Sequence, residues 1–547
     1  MKELGGSVAS YLSQSAKERP DQPALVSGAN KPVFRSLSFL ELDRAVDSAA
    51  GELVKAEIHN GDKTLLFVNP GPGLIIWAFA LFRIGAIPVV IDPGMGFRSF
   101  LKCIQRTRPS ALVGISRAIW LSRLLPRIFG SVQKRYLVRS GYNGVYQNKP
   151  NTITPQSSQL DDLAAIVFTS GSTGTPKGVR YLHRTFNAQI HALETEFGMQ
   201  PGEVDLTTLP IFGLFNPALG ITSVLPDIDP RRPASANPNS LVDSLLDFEV
   251  TTAFASPVIG KKVASACEAR KAHLPKMNRF FMAGAPVPPS LVERLQVRLP
   301  KGKILIPYGA TEALPVSWAS GDQIIQRQDS VLAGKGSYVG KIIPGARVKI
   351  VPAVQPPLPD YPEDYQGLKS GRVGEICVSG PMVTAGYDRM PGATCDARFK
   401  IGTDPFHRMG DLGYLDEEGS LRFLGRKAEC VITKKGPIET ERCEPAINQL
   451  SCVERCVLIG LGSSSAQEPC LVIEPQREAI RMHGEQDVRK EILATCESLF
   501  PEFRIQRVFF EKKIPVDARH NAKIHRLSLA KKWTQRIARK PQLGRLK

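Results

Sequence analysis

The sequence predicts an α/β protein in two parts: a large N-terminal domain of mainly parallel α/β subdomains plus a small β-rich unit, then a smaller α+β C-terminal domain. Three observations carry this. Short apolar runs alternate with helical stretches from about residue 64. After residue 330 the alternation gives way to β-rich patterning. The 547 residues, 42% hydrophobic and 22% charged, suffice for one large core and a second, smaller one.

The run TLLFV at 64–68 is a β-rich apolar strand, ended by Pro70 and Gly71. Residues 74–82 read as a buried helix. AIPVVID at 86–92 is the next strand, 97–106 is helical, and ALVGIS at 111–116 is strand again. Such β-α-β-α order implies parallel strands with helices on the sheet faces. The pattern returns at LAAIVF (163–168), VTTAFAS (250–256), RFFMAG (279–284) and ILIPYG (304–309). Beyond residue 330, VGKIIPGARVKIV (339–351) and RVGEICVSG (372–380) read as strands around a Pro-rich acidic loop at 352–364. LRFLGRK (421–427) is followed by short mixed elements to residue 530. The domain boundary falls at 425–429 and divides a large domain, 1–425, from a small one, 426–547.

Lysine and arginine number 71 against 52 acids, a formal charge of +19. Such an excess favours anionic partners: nucleotides, acidic proteins, nucleic acid or a membrane surface. Residues 531–547 hold seven of the cations and no acid, and read as a solvated, frayed tail. Ten cysteines without a C-x-x-C pair argue against a zinc ribbon and for a reducing, cytoplasmic setting. The greasiest stretch, 74–91, is interrupted by Arg83, Gly85 and Pro88, so a buried helix and strand fit better than a membrane span. A basic nucleic-acid- or membrane-binding non-enzyme rests on composition alone. No zinc finger, RNA-recognition signature or aromatic–basic interleaving accompanies the charge, and no specific nucleic-acid partner is expected.

The sharpest local feature is TSGSTGTPKG at 169–178, directly after the apolar strand LAAIVF. Its glycines and hydroxyl side chains leave backbone N–H groups accessible, as cradling a polyphosphate requires. Lys177 brings an ammonium to the outer phosphates. The spacing is not that of a Walker A loop, because Pro176 precedes the lysine and Gly178 follows it. This loop resembles the phosphate loop of the adenylate-forming superfamily: acyl-CoA synthetases, nonribosomal-peptide adenylation domains and luciferases. Four further motifs follow in that family's order: YGATE (308–312), GRVGEICVSGP (371–381), RMGDLGYLDEEGSLRFLGRK (408–427) and PVDARHNAKIHR (515–526). The resemblance implies ATP and Mg²⁺ as cofactors and a mobile C-terminal domain.

The matching residues suit that chemistry. Activating a carboxylate sets it against the α-phosphate, and both anions need neutralising. Glu312 is the ligand type that Mg²⁺ takes beside phosphates, and Thr311 offers a hydrogen bond to the α-phosphate. Tyr308 presents a flat face to adenine beside Gly309, and Gly284 with Ala285 lets the base approach backbone. Asp411 accepts both ribose hydroxyls. Arg426 either reaches the ribose or phosphate or makes a structural ion pair. By resemblance, Thr169, Ser170, Gly171, Ser172, Thr173, Gly174 and Lys177 hold the phosphates, and Lys523 bridges carboxylate and α-phosphate.

Two departures stand out. Ala428 occupies the position of the family's hinge residue, with Glu429 next. In LPIFGLFNP (209–217), Gly213 stands where many acyl-CoA synthetases carry histidine. Phe212 and Phe215 in that motif are read as either core or acyl-substrate wall. The longer stretches GLFNPALGITSVLPDIDPR (213–231), GAPVPP (284–289), PYGATEALP (307–315) and PVDARHNAKI (515–524) are similar to the β-lactone synthetases of bacterial long-chain olefin biosynthesis. That resemblance implies adenylation of a 2-alkyl-3-hydroxy fatty acid, then attack by its own hydroxyl. Acyl-CoA ligation is the alternative. The β-lactone resemblance further implies a pathway thiolase and decarboxylase as partners, and the basic tail 531–547 is read as recruiting partner enzymes or anionic lipid, which places a cytoplasmic protein peripheral to the inner face of the membrane. The base for ring closure is unassigned, with His183 and His520 read as structural or surface residues.

Overall fold

A computed structural model describes residues 7–28, 36–138, 156, 158–168, 175–209, 212–229, 232–516 and 524–539. The chain divides into two compact units: Met1–Gly321 with Ile343–Arg347 and Ser379–Arg398, and Asp322–Ile342 with Val348–Val378 and Phe399–Lys547.

The first unit holds the alternating segments. One sheet runs in the order Lys134–Leu137, Ala111–Gly114, Lys63–Phe67, Ile87–Ile91, Leu163–Phe168, Gly178–Leu182. Its strands are parallel except for the last pair, where Leu163–Phe168 and Gly178–Leu182 run antiparallel. In the second sheet the strands Lys303–Ala310, Arg279–Met282, Thr252–Ala255, Val204–Thr207, Thr222–Leu225 and Pro23–Ser27 are parallel neighbours. Ala313–Ser320 pairs antiparallel with Lys303–Ala310, and Ser36–Ser38 pairs antiparallel with Pro23–Ser27. The expected parallel α/β order is thus present.

The helices Val8–Glu18, Phe39–Lys55 and Pro72–Arg83 share one large apolar core with these strands. Phe39–Lys55 starts at a capping box, with the Ser38 hydroxyl on the Glu41 N–H and the Glu41 carboxylate on the Ser38 N–H. Arg83, which interrupts the greasy stretch, is buried and neutralised by Asp43 at 2.5 Å and by Asp47. No helix among the described residues is long and apolar enough to cross a membrane.

In the second unit, Ser337–Ile342, Leu421–Arg426, Asp404–Leu415 and Gly374–Ser379 form successive antiparallel pairs. The Pro-rich loop packs Leu358 and Tyr361 against Val351, Cys377, Phe399 and Phe406.

The C-terminal region differs from the sequence expectation in two respects. The region after residue 427 is not built only of short elements. It contains a long hairpin, Val453–Ser463 with Ala466–Pro475, and the helix Arg477–Leu499, kinked at Gly484. The basic tail is not frayed throughout, since Arg526–Arg539 is helical. Its Leu529, Trp533 and Ile537 pack on Val457, Ile459 and Val472, and Trp533 stacks on Phe509 at 4.3 Å. Apolar residues spaced at 529, 533 and 537 form one helix face, a signal the density of charge concealed. Residues 540–547 lie outside the described residues.

Candidate active site

Within the first unit, a tight hairpin presents the YGATE residues. Lys303–Ala310 pairs with Ala313–Ser320 so that Ala310 opposes Ala313, leaving Thr311 and Glu312 at the tip. Gly309 is required there: a Cβ would come 2.6 Å from the Ala313 carbonyl oxygen. The tip is pinned by its own backbone. The Tyr181 hydroxyl donates to the Thr311 carbonyl at 2.7 Å, and the Thr384 N–H donates to the Glu312 carbonyl at 2.9 Å. Burial, reinforced by the Glu312 carboxylate, pushes the Tyr181 phenol above its ordinary value and keeps it a donor.

The phosphate loop connects two antiparallel strands whose ends are in register, Phe168 opposite Gly178. Thr169, Ser170, Gly171, Ser172, Thr173 and Gly174 lie outside the described residues. The loop's exit is fixed: Arg106 donates to the Pro176 carbonyl at 2.8 Å, and a Cβ at Gly178 would collide with the Phe168 ring at 2.6 Å.

The segment 383–388 joins loop and hairpin. Val179 bridges Tyr387 and Ala313 bridges Val383. Lys177, exposed at the loop's end, places its Nζ 4.5 Å from the centroid of the Tyr387 ring. The Tyr387 hydroxyl donates to Glu312 Oε1 at 2.9 Å. One tyrosine therefore connects the phosphate-loop lysine to the hairpin carboxylate. Lys63 holds the next residue, Asp388, at 2.6 Å. Sequence reasoning missed Tyr387. The signal was its position, a tyrosine after glycine, six residues beyond the end of the 371–381 motif.

Tyr308 is half-buried on the same hairpin, and Gly284, at φ +94°, follows the strand Arg279–Met282 with Ala285. Phe215 is buried against Phe186, with ring centroids 6.0 Å apart, inside the aromatic cluster of Tyr181 and Phe82. Phe212 opens the 3₁₀ turn Phe212–Leu214, and its side chain lies outside the described residues. Gly213 has little room: a Cβ would sit 3.1 Å from Ile75 Cδ1, so a histidine needs that core to give way. His183 is buried and accepts the Val8 N–H at 3.3 Å, a structural role. His520 lies outside the described residues.

Beneath the 209–217 motif is a buried polar knot. Asp205 Oδ2 accepts from Thr207 at 2.7 Å and from the Asn216 amide at 2.8 Å, and the same amide reaches the Ser223 hydroxyl at 2.9 Å. Burial raises the Asp205 carboxyl to about 6.

In the second unit, Asp411 follows Gly410, at φ +69°, and is buried. It stands directly opposite Arg426, whose Nε lies 2.9 Å from Asp411 Oδ1. Arg426 thus makes an ion pair with the proposed ribose ligand. The 371–381 motif also acquires a reason. Glu375 is buried and paired with Arg408 at 2.6 Å and with Lys427 at 3.0 Å, clamping the strands that carry Asp411 and Arg426. After Ala428, Glu429 binds Arg526 at 3.2 Å, and Arg526 also pairs with buried Glu444. Burial alone would lower the Arg526 guanidinium, but the two carboxylates hold it above its ordinary value. Lys523 lies outside the described residues.

The pattern described as AMP-binding enzyme matches residues 12–388. An olefin beta-lactone synthetase of Stenotrophomonas maltophilia is 38% identical, covering 96% of this chain and 97% of its own. One from Xanthomonas campestris pv. campestris is 39% identical, with 96% of each chain covered. Among solved structures, O-succinylbenzoate coenzyme A synthetase of Bacillus subtilis in complex with AMP superimposes with a TM-score of 0.75 at 21% identity, over 95% of this chain and 97% of that one. ATP-bound MatB from Rhodopseudomonas palustris gives 0.77 at 21%, over 96% and 99%. Family pattern, near full-length likeness and fold agree: the chain belongs to the AMP-binding enzymes and, among them, to the family of the olefin β-lactone synthetases.

Proposed function

We propose that this chain activates a 2-alkyl-3-hydroxy fatty acid with ATP and closes it to a β-lactone. In the first step a carboxylate oxygen attacks the α-phosphorus, and the bond to pyrophosphate breaks. In the second, the substrate's 3-hydroxyl oxygen bonds to the acyl carbon and gives up its proton, and the bond to AMP breaks. The mixed anhydride supplies the free energy for ring strain, and holding hydroxyl and carbonyl aligned replaces an encounter with an external thiol.

For adenylation, the supporting observation is the Lys177–Tyr387–Glu312 connection. A lysine at the end of a phosphate loop and a carboxylate at a pinned hairpin tip are held by one ring. Glu312, a carboxylate beside that cation, suits Mg²⁺, which when bound neutralises phosphate charge. Thr311 and Lys177 contact phosphate, Tyr308, Gly309, Gly284 and Ala285 the base, and Asp411 the ribose, with Arg426 orienting it. Lys523 serves the first step, and residues 426–547 move between steps. For the product, the support is the near full-length likeness to two olefin β-lactone synthetases. We place the enzyme in the cytoplasm, peripheral to the inner membrane face where a long-chain substrate accumulates, and in complex with the thiolase and decarboxylase of its pathway.

The test is product analysis with ATP, Mg²⁺ and a 2-alkyl-3-hydroxy fatty acid, with and without CoA. A β-lactone plus AMP, identified by NMR and independent of CoA, is expected. An acyl-CoA formed only when CoA is present would replace this reading with long-chain acyl-CoA ligation.

A further inference from the structure

No aspartate or glutamate occurs between Asp92 and Asp161. The described part of that stretch builds a helical layer on one face of the six-stranded sheet. Helices Phe97–Thr107, Ser116–Leu124 and Pro126–Phe129 bury Phe100, Ile104, Ile119 and Phe129 in a common core with Leu65, Val89 and Leu112. Their outward residues are unusual. Trp120 is 64% exposed, Leu124 53% and Phe97 59%. A buried-core explanation does not apply to a tryptophan so open to water.

Cations accompany these side chains. Arg117, Trp120 and Leu124 follow at spacings of three and four and share one stripe of the helix Ser116–Leu124, with Arg123 beside it, and Arg127 lies on the short helix that follows. None of Arg117, Arg123 and Arg127 has an acidic partner among the described residues. At the end of the stripe is a pocket of about 520 Å³ lined by Ser122, Arg123, Gln133 and Arg135, with Phe129 and Val132 at its apolar side. Arg135 Nε donates to the Ser122 hydroxyl at 3.0 Å, which fixes the guanidinium at the pocket wall. The Ser122 hydroxyl spends its own proton on the Ile119 carbonyl at 2.7 Å, which leaves two arginines and an amide, without a carboxylate, as a donor set for a phosphate ester.

We propose that this face docks on an anionic lipid bilayer, with Trp120 and Leu124 in the interface and the Arg123–Arg135 pocket seating a lipid phosphate. An exposed aromatic among unpaired arginines is the composition of an interfacial contact: the ring occupies the headgroup level while the cations meet the surface charge. Tryptophan and arginine also serve protein interfaces, and it is the phosphate-type donor set of the adjoining pocket, without a carboxylate, that favours the lipid. The inference rests on the peripheral-membrane reading above and not on lactone formation, so product analysis without vesicles tests the two separately.

The experiment is co-sedimentation of the full chain with phosphatidylcholine vesicles, with and without phosphatidylglycerol. Binding is expected only with phosphatidylglycerol and is expected to weaken as salt rises. Arg123→Glu/Arg127→Glu should weaken it by about tenfold or more. Trp120→Ala should also weaken it and abolish the blue shift of fluorescence on vesicle addition. Truncation after residue 539 should leave it intact. Far-UV circular dichroism and ATP–pyrophosphate exchange should match the parent, because none of these residues is in the proposed site. Equal binding to both vesicle types, or parent-like binding by both variants, overturns the proposal. So does full competition by inorganic phosphate, which would mark a free-anion site, or sedimentation only with an acidic protein present.

Discussion

Tyr387 connects two chemistries through the two ends of one side chain. Its ring faces the Lys177 ammonium and its hydroxyl orients the Glu312 carboxylate. Tyr387→Phe keeps the ring and removes the hydrogen bond. ATP–pyrophosphate exchange is expected to fall about ten- to a hundredfold, the equivalent of about 1.5–3 kcal/mol for one hydrogen bond to a charged group. Tyr387→Ala also removes the cation–π contact and should fall further, with a rise in the Mg²⁺ concentration needed for half-maximal exchange. Parent-like exchange in Tyr387→Phe would sink the orienting role. The proposed site residues Lys177, Glu312 and Asp411 could be nominated from the sequence because each sits in a motif. Tyr387 and Glu375 were not, because their partners are distant along the chain: Glu312 for the one, Arg408 and Lys427 for the other.

At the scale of elements, two segments carry testable consequences. The Asp205 knot ties strand Val204–Thr207 to the turn bearing Phe215 and Asn216. Burial raises the Asp205 carboxyl from 3.8 to about 6, so the folded state holds its proton where the unfolded chain has lost it. The stabilisation is complete below about pH 4 and is lost as pH rises through about 6, on the order of 3 kcal/mol. Asp205→Asn should flatten this part of the stability profile; urea unfolding at about pH 4.5 and about pH 7 measures it. A profile as steep as the parent's would show that the slope lies elsewhere, as with Glu444, which burial raises to about 7.

The C-terminal helix gives the second consequence. Removing residues 531–547 takes Trp533 and Ile537 out of a core and should cost about 3 kcal/mol or more in thermal or urea unfolding. Removing 540–547 should leave the midpoint unchanged. Equal midpoints for both truncations would mean the helix contributes no packing.

For the molecule as a whole, the proposed cycle assigns Lys523 to adenylation alone. Lys523→Ala should depress ATP–pyrophosphate exchange by at least about a hundredfold, as expected for loss of a charge that meets the reacting phosphate. Closure of a preformed acyl-adenylate to the lactone should proceed at the parent rate, followed by AMP release. Loss of both activities together would place the lysine in the second step as well. The Glu429–Arg526–Glu444 cluster lies within the second unit and ties the first residues past Ala428 to the start of the C-terminal helix.

By itself the sequence determined the parallel α/β order and the buried character of the 74–91 stretch, and nominated the residues proposed for phosphate, metal and ribose. These are written in local periodicity and in short motifs, where neighbours in the chain are neighbours in space. The tertiary structure decided what depends on distant partners. It made Arg83 a buried cation between two aspartates, brought Tyr387 between Lys177 and Glu312, and paired Arg426 with Asp411. It also turned much of a charged tail into a packed helix, because an apolar stripe gains its worth only when a sheet is there to cover it.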